Sequence, residues 1–118
     1  MTASAFYAGR PLPCPDDPEA QLREATRAAD FLKALGHEGR LLMLAHLCRR
    51  EHTVSELEAL IHSRQAAVSQ QLARLRHERL ITARREGNTI VYSLTDDRVR
   101  AAVALLGRYF GLPPETED

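Results

Sequence analysis

The stretch that most constrains this chain runs from Thr53 to Leu94, TVSELEALIHSRQAAVSQQLARLRHERLITARREGNTIVYSL. It contains two short helical patterns with a tight polar break between them, followed by a hairpin pattern. Thr53-Val54-Ser55-Glu56 reads as a capping box, in which the Thr hydroxyl takes the third backbone N–H and the Glu carboxylate reaches back. Val54, Leu57 and Ile61 share one helical face, with Leu60 beside them. His62-Ser63-Arg64 interrupts the pattern. The spacing predicts a second helix from Gln65 to about Glu78, with Val68, Leu72 and Leu75 as its apolar stripe. A short helix, a turn and a second helix with a hydrogen-bonding outer face make a helix-turn-helix.

The outer face of that second helix carries Gln65, Ser69, Gln70, Arg74 and Arg76. Gln and Arg can make paired hydrogen bonds to base edges, and Ser can donate or accept. Ala66 and Ala67 are small enough for that end to approach a groove wall closely. A Gln/Arg-rich face is as readily a plain solvated surface, so the helix alone does not decide. The hairpin tips the reading toward DNA. Leu80–Arg85 and Thr89–Leu94 are rich in β-formers, and Glu86-Gly87-Asn88 is a turn signal between them. A basic hairpin directly after such a helix reads as a wing. Its Arg84, Arg85 and Asn88 are expected at phosphates or an adjacent minor groove. With Ser63 and Arg64 at the helix entry, the expected DNA-contacting set is Ser63, Arg64, Gln65, Ala66, Ser69, Gln70, Arg74, Arg84, Arg85 and Asn88.

At 118 residues the chain is expected to form one domain. Residues 1–18 hold four of the six prolines and read as an extended arm, 19–112 as the folded domain, and 113–118 as an acidic tail. A helix is predicted over Ala20–Leu35, stopped by Gly36, and another from Glu38 or Gly39 to about Cys48. A last helix begins at Asp96 or Asp97, with Thr95 as its cap, and places Val99, Val103, Leu106 and Phe110 on one face. The fold class is therefore mainly α with a small β-hairpin, ordered α-α-α-α-β-β-α. No membrane span or secretory signal is apparent, and a cytoplasmic location is expected.

Net charge is zero, but it is unevenly placed. Between Arg64 and Arg85 lie Arg64, Arg74, Arg76, Arg79, Arg84 and Arg85 against Glu78 alone. That is the local footprint of a nucleic-acid-binding face. The first and last helices carry more apolar surface than a domain this small needs, which points to a symmetric homodimer formed through them.

Three stretches together carry a resemblance: Phe31-Leu32-Lys33-Ala34-Leu35-Gly36-His37-Glu38-Gly39-Arg40-Leu41, Gln65 through Arg76, and Arg84 through Leu94. Over about Ala20–Phe110 the chain resembles the ArsR (SmtB/ArsR) family of winged helix-turn-helix repressors, most closely its persulfide- and redox-responsive subgroup. The resemblance implies a homodimer that represses by binding a double-stranded DNA operator until an inducer acts. The family's Cys-x-Cys metal site would fall on Thr53 and Ser55, and hydroxyls do not replace thiolates for soft ions. Its last-helix zinc site needs histidines after His77, and there are none. The subgroup's two cysteines would fall at Ala45 and Gly111, so neither is present.

Cys14 and Cys48 are the only cysteines, too few for a disulfide framework. Cys48 lies one helical turn beyond Ala45. It reads as either a small buried hydrophobe or a sensing thiol paired with Cys14. His46, Arg49 and Arg50 would lower its pKa if they face it. Two further readings stay open: a soft-metal or arsenite-type responsive repressor using Cys14 and Cys48, and a winged-helix protein-interaction module without DNA binding. No cofactor or structural metal is expected, and the inducer is expected to be a reactive sulfur species or oxidant rather than a soft metal ion. Nothing in the chain has the spacing of an enzyme's nucleophile, base or phosphate loop.

Overall fold

A computed structural model of the chain describes residues 11–62 and 65–113, with the backbone alone at 65 and 66. Most of the proline-rich arm, the acidic tail, and Ser63 and Arg64 lie outside the described residues. The element order is α1 (Pro18–Leu35), α2 (Glu38–Arg49), β1 (His52–Thr53), α3 (Val54–Ile61), α4 (Gln65–His77), β2 (Ile81–Glu86), β3 (Thr89–Leu94) and α5 (Asp97–Gly107). No described helix is long and apolar enough to cross a membrane.

The first helix starts two residues earlier than the apolar spacing suggests. Asp17 caps it, accepting from the Ala20 N–H at 3.2 Å, and Pro18 takes the first helical position, where its missing N–H costs nothing. Only Ala34 and Leu35 of α1 are buried, and every residue from Gln21 to Asp30 is exposed. The body of α1 therefore projects from the core, which its last turn alone joins. Gly36 follows, and His37 caps α2 with Nδ1 accepting from the N–H groups of Gly39 and Arg40.

The core gathers Met43, Leu44, Ala45 and Leu47 of α2, Leu57 of α3, and Val68, Leu72 and Leu75 of α4. Leu80, Ile81, Val99 and Val103 complete it. The stripe predicted for α4 is completely enclosed, and that enclosure fixes the helix's rotation about its axis. Leu60 is 42% exposed and lies off the core.

One buried charge ties three helices together. Arg40 is 9% exposed, and among the described residues its guanidinium hydrogen-bonds no carboxylate, Glu78 acting on it only through space. Its Nε donates to Ala34 O at 2.6 Å, Nη2 to Lys33 O at 2.9 Å, and Nη1 to Gln71 Oε1 at 2.8 Å. The first two acceptors are carbonyls at the C-terminus of α1, which lack helical partners and carry the negative end of the helix dipole. Burial and the nearby Arg74 pull the Arg40 pKa down, yet the group stays charged because the ordinary arginine value is so high.

The sheet has a third strand that the sequence reading lacks. His52–Thr53 pairs antiparallel with Tyr92 and Val91, giving the order β1-β3-β2. Two residues carry too little pattern to announce a strand, and the pairing is set by a partner about 40 residues away. Thr53 then caps α3 as expected: its Oγ1 accepts from Glu56 N–H and Glu56 Oε1 accepts from Thr53 N–H. His52 is buried in the sheet, with Nδ1 3.2 Å from Glu56 Oε1, rather than lying near solvent or DNA.

Two helix ends depart from expectation. Asp96, not Thr95, caps α5, accepting from Arg98 N–H at 2.9 Å. The Thr95 hydroxyl instead donates to Arg79 O. The last helix closes at Gly107, so Phe110 lies beyond it and is exposed rather than on its buried face. At the end of α4 the chain makes a Schellman turn: Leu80 N–H donates to Leu75 O and Arg79 N–H to Arg76 O. Arg79 holds the left-handed position, φ +64°, where glycine is the usual occupant.

Replacing Arg40 with Ala takes this donor from Ala34 O and the Gln71 amide and leaves Lys33 O with the long Gly36 N–H contact of 3.3 Å. Urea unfolding should show a loss of about 2–3 kcal/mol, and Arg40→Lys, which cannot fork to three acceptors, should recover little of it.

Candidate nucleic-acid interface

The helix-turn-helix consists of α3, the link 62–64 and α4. His62 ends α3 in the left-handed region, φ 53°, so the chain reverses within a few residues. With Val68, Leu72 and Leu75 seated in the core, the helical period turns Ala67, Ser69, Gln70, Ala73 and Arg74 outward, and all five are exposed. Ser69 and Gln70 thus stand on the open face that the sequence assigns to base contact. Ser63 and Arg64, and the side chains of Gln65 and Ala66, lie outside the described residues. Gln71, which falls to one flank of this face, is held by Arg40. Arg74 lies on the same flank and pairs with Glu78 one turn on at 3.2 Å.

The wing is the β2–β3 hairpin, in register from Ile81↔Leu94 to Glu86↔Thr89. Its loop is Gly87-Asn88, with a positive φ confined to Gly87, at 64°. A two-residue loop with glycine first matches the twist of the flanking strands. Asn88 is exposed at the tip.

Strand alternation separates the two wing arginines. Ile81, Ala83 and Arg85 share the face that continues from the core, and Thr82, Arg84 and Glu86 share the other. Arg84 is not the unengaged cation that the sequence suggests. It forks to Glu51 across the sheet, with Nη1–Oε2 at 2.8 Å and Nη2–Oε1 at 2.9 Å, and it also meets Glu86 at 2.6 Å. Ser93 Oγ donates to the same Glu51 at 3.1 Å. Hydrogen bonds from Arg84 and then Ser93 hold the Glu51 carboxyl below the usual carboxylate range, and the bonds to Glu51 and then Glu86 push the Arg84 pKa up. Glu51 lies 33 residues before Arg84 and is adjacent only once β1 has paired with β3. Among the described residues, Arg85 makes a single long contact, 3.5 Å, to Gly87 O.

The sequence reading missed Arg40, Glu51 and Gln71 as determinants of this surface. Gln71 carried a weak signal, because it breaks the apolar flank beside Leu72. Glu51 carried none.

The two cysteines are both free thiols. Cys14 is exposed just before α1, where Gln21 Nε2 lies 3.8 Å from its Sγ. Cys48 is half-buried near the end of α2. Burial pushes its thiol up to about 11, with Arg100 pulling weakly the other way. His46, Arg49 and Arg50, which would lower this pKa if they faced the sulfur, are not among the groups that set it. The sulfur faces apolar neighbours, so desolvation of the thiolate outweighs the surrounding cations. His46 itself is pulled down by burial, chiefly, and then by His52 and Arg49, so it is less able to supply positive charge.

Comparison with known proteins agrees with this geometry. Residues 37–83 match the family model described as bacterial regulatory protein, arsR family. The chain is 38% identical over 96 residues to the biofilm growth-associated repressor of Agrobacterium fabrum, covering 81% of this chain and 82% of that one. The solved structure of the transcriptional repressor BigR from Xylella fastidiosa superposes with a TM-score of 0.73 at 34% identity, covering 80% of this chain and 96% of that one. The structure described as reduced HlyU from Vibrio cholerae superposes with a TM-score of 0.71 at 36% identity, covering 75% and 93%. HlyU is described as a transcriptional activator, so the sign of regulation differs among these relatives. The exposed helix face, the wing and these matches lead to one conclusion: the chain belongs to the arsR family of bacterial regulatory proteins, and it is a DNA-binding transcription regulator of winged helix-turn-helix fold, not an enzyme.

Proposed function

We propose that the chain is a homodimeric transcriptional repressor that reads an operator with the exposed face of α4. The observation that carries this reading is the orientation of α4. Its apolar stripe is fully enclosed, so Ser69 and Gln70 are presented outward on a rigid rod beside a basic hairpin. Gln side chains can bridge two atoms of one adenine edge, and Ser accepts or donates at either base type. Bidentate readout of this kind is worth about 1–3 kcal/mol per base pair. Repression rather than activation is the sign we assign, following the repressors among the relatives.

Dimerisation is supported by apolar surface that the single chain leaves bare. Leu22 and Leu32 of α1 are 67% and 64% exposed, and Leu105 of α5 is 52% exposed, with Tyr109 and Phe110 just beyond it. Water-exposed leucines on two helices at opposite ends of the sequence suit an isologous interface, in which each patch meets its own copy. A two-fold axis there carries two α4 helices to half-sites about one helical turn apart.

Thiol chemistry is the control we assign to this repressor. Cys14 is the accessible thiol and the point of entry for an oxidant or polysulfide. Burial raises the Cys48 pKa and keeps its thiolate fraction small, so Cys14 is the thiol we assign to the first attack and Cys48 the slower one that follows. The step is a thiol–disulfide exchange: the Cys48 thiol loses its proton to solvent, its sulfur bonds to the Cys14 sulfur of a Cys14 polysulfide or other oxidised adduct, and the bond from Cys14 to the group it carries breaks, that group leaving with the electron pair as hydrosulfide or its equivalent.

Three measurements test these assignments. Titrating DNA from upstream of the protein's own gene should give specific binding that Gln70→Ala weakens about tenfold, a loss of roughly 1.4 kcal/mol, without moving the thermal midpoint. Equal affinity for that DNA and for scrambled duplex would sink the operator reading. Sedimentation should give a dimer, and Leu32→Glu together with Leu105→Glu should give a folded monomer with much weaker operator binding. Treatment with disodium tetrasulfide or diamide should change operator affinity in the native chain and leave Cys14→Ser unaffected. An identical response in both removes Cys14 from the mechanism.

A further inference from the structure

The arginines around α4 and the wing divide into two groups. Arg74 is paired with Glu78, and Arg84 is paired with Glu51 and Glu86. Arg76 and Arg79 are exposed, and no ion pair or side-chain hydrogen bond among the described residues engages either guanidinium. Both line one open groove of about 370 Å³, together with Ile81, Thr82, Ala83 and Thr95. No acidic residue lines it.

The backbone at Arg79 adds an independent observation. The C′ position of a Schellman turn favours glycine, because a side chain there is strained against the following carbonyl. Arg79 occupies that position at φ +64°. The strain is borne at a residue whose side chain has no structural partner, so packing does not account for the arginine. Strained non-glycine residues cluster where the side chain serves a ligand.

The groove also has a direction. It lies between the C-terminal half of α4 and the start of β2. Alternation carries the same β2 face from Ile81 through Ala83 to Arg85, the wing arginine that is not neutralised. A small residue, Ala83, separates the two cationic ends.

We propose that this groove is a phosphate channel, in which Arg76 and Arg79 bind the backbone of the DNA strand that passes between α4 and the wing, with Arg85 continuing the track toward the tip. The ligand is a phosphodiester, recognised by charge and by the forked geometry of guanidinium rather than by base identity. The proposal rests on the α4 reading given above and extends its outer face toward the C-terminal end of the helix, where Arg76 lies two turns beyond Ser69. Of the two wing arginines expected at phosphates, it keeps Arg85 and releases Arg84 from that role. Arg84, locked to two carboxylates, positions the hairpin against β1.

The test uses the full chain and a mixed-sequence duplex oligonucleotide, since phosphate contacts do not depend on sequence. Binding is followed by fluorescence anisotropy across a series of salt concentrations for the native chain, Arg76→Gln, Arg79→Gly and Arg79→Lys. Arg76→Gln and Arg79→Gly should each weaken binding roughly three- to tenfold and reduce the slope of log affinity against log salt by about one. Arg79→Lys should keep the slope. Because glycine relieves the left-handed strain, Arg79→Gly should hold or raise the thermal midpoint, which separates lost binding from lost folding. If that midpoint falls instead, Arg76→Gln, at an exposed helical position, decides the matter. Native affinity and slope in both neutral variants overturn the channel while leaving the α4 reading in place. A native chain that binds no duplex overturns both.

Discussion

The presentation of α4 depends on the enclosure of Val68, Leu72 and Leu75. A helix this short has no stable orientation of its own, and most of its stability comes from the face it buries. The three side chains enter a cluster supplied by α2, α3 and the first residue of the wing. That single packing event fixes three things together: which residues of α4 face outward, the angle at which α3 leads into it, and the point from which β2 departs. A substitution that shrinks the stripe would act on DNA binding indirectly, by letting the rod roll. The Arg40–Gln71 hydrogen bond reinforces the same setting from the flank, at the cost of burying a charge whose acceptors are all neutral.

A chain with no net charge acquires a basic face by arranging where its carboxylates point. Glu51 and Glu86 cancel Arg84 on one face of the wing, and Glu78 cancels Arg74 on one flank of α4. Among the described arginines of α4 and the wing, those left uncancelled lie on the side where helix and wing face each other. Counting charges along the sequence finds the excess of arginine but not its direction, because direction is a property of strand alternation and of contacts between residues far apart in the chain. Surface ion pairs contribute little to stability in water, so the bridge between Glu51 and Arg84 is better understood as setting the hairpin's position and the sign of its outer face.

The legibility of the fold in the sequence follows the range of the interactions involved. The capping box at Thr53, the α4 stripe and the Gly87-Asn88 turn are local patterns, and each is found where the sequence places it. The α1 cap at Asp17 is equally local and was legible in the Asp-Pro pair, but the apolar spacing drew attention two residues downstream. Strand β1 was not legible, since two residues become a strand only when β3 arrives beside them. The same pairing brings Glu51 to Arg84, so one unseen strand hides both an element and the fate of a wing arginine. The raised Cys48 pKa has a related cause. Neighbours in sequence supply cations, but burial by residues distant in sequence sets the larger effect.

The two helices that carry the bare apolar surface are each joined to the DNA-reading unit through an arginine on a carbonyl. Arg40 of α2 grips the last turn of α1 and, through Gln71, α4. Arg100 of α5 donates to Cys48 O near the end of α2, just before β1 and the wing's anchor at Glu51. Arg98 adds a third contact by stacking 4.7 Å over Phe31, which braces α5 against α1. Backbone carbonyls are acceptors that side-chain substitution cannot remove, so these links constrain helix placement while leaving the surrounding side chains free to vary. Chemistry at Cys48 would be felt at this junction, because its own carbonyl is the atom that Arg100 holds.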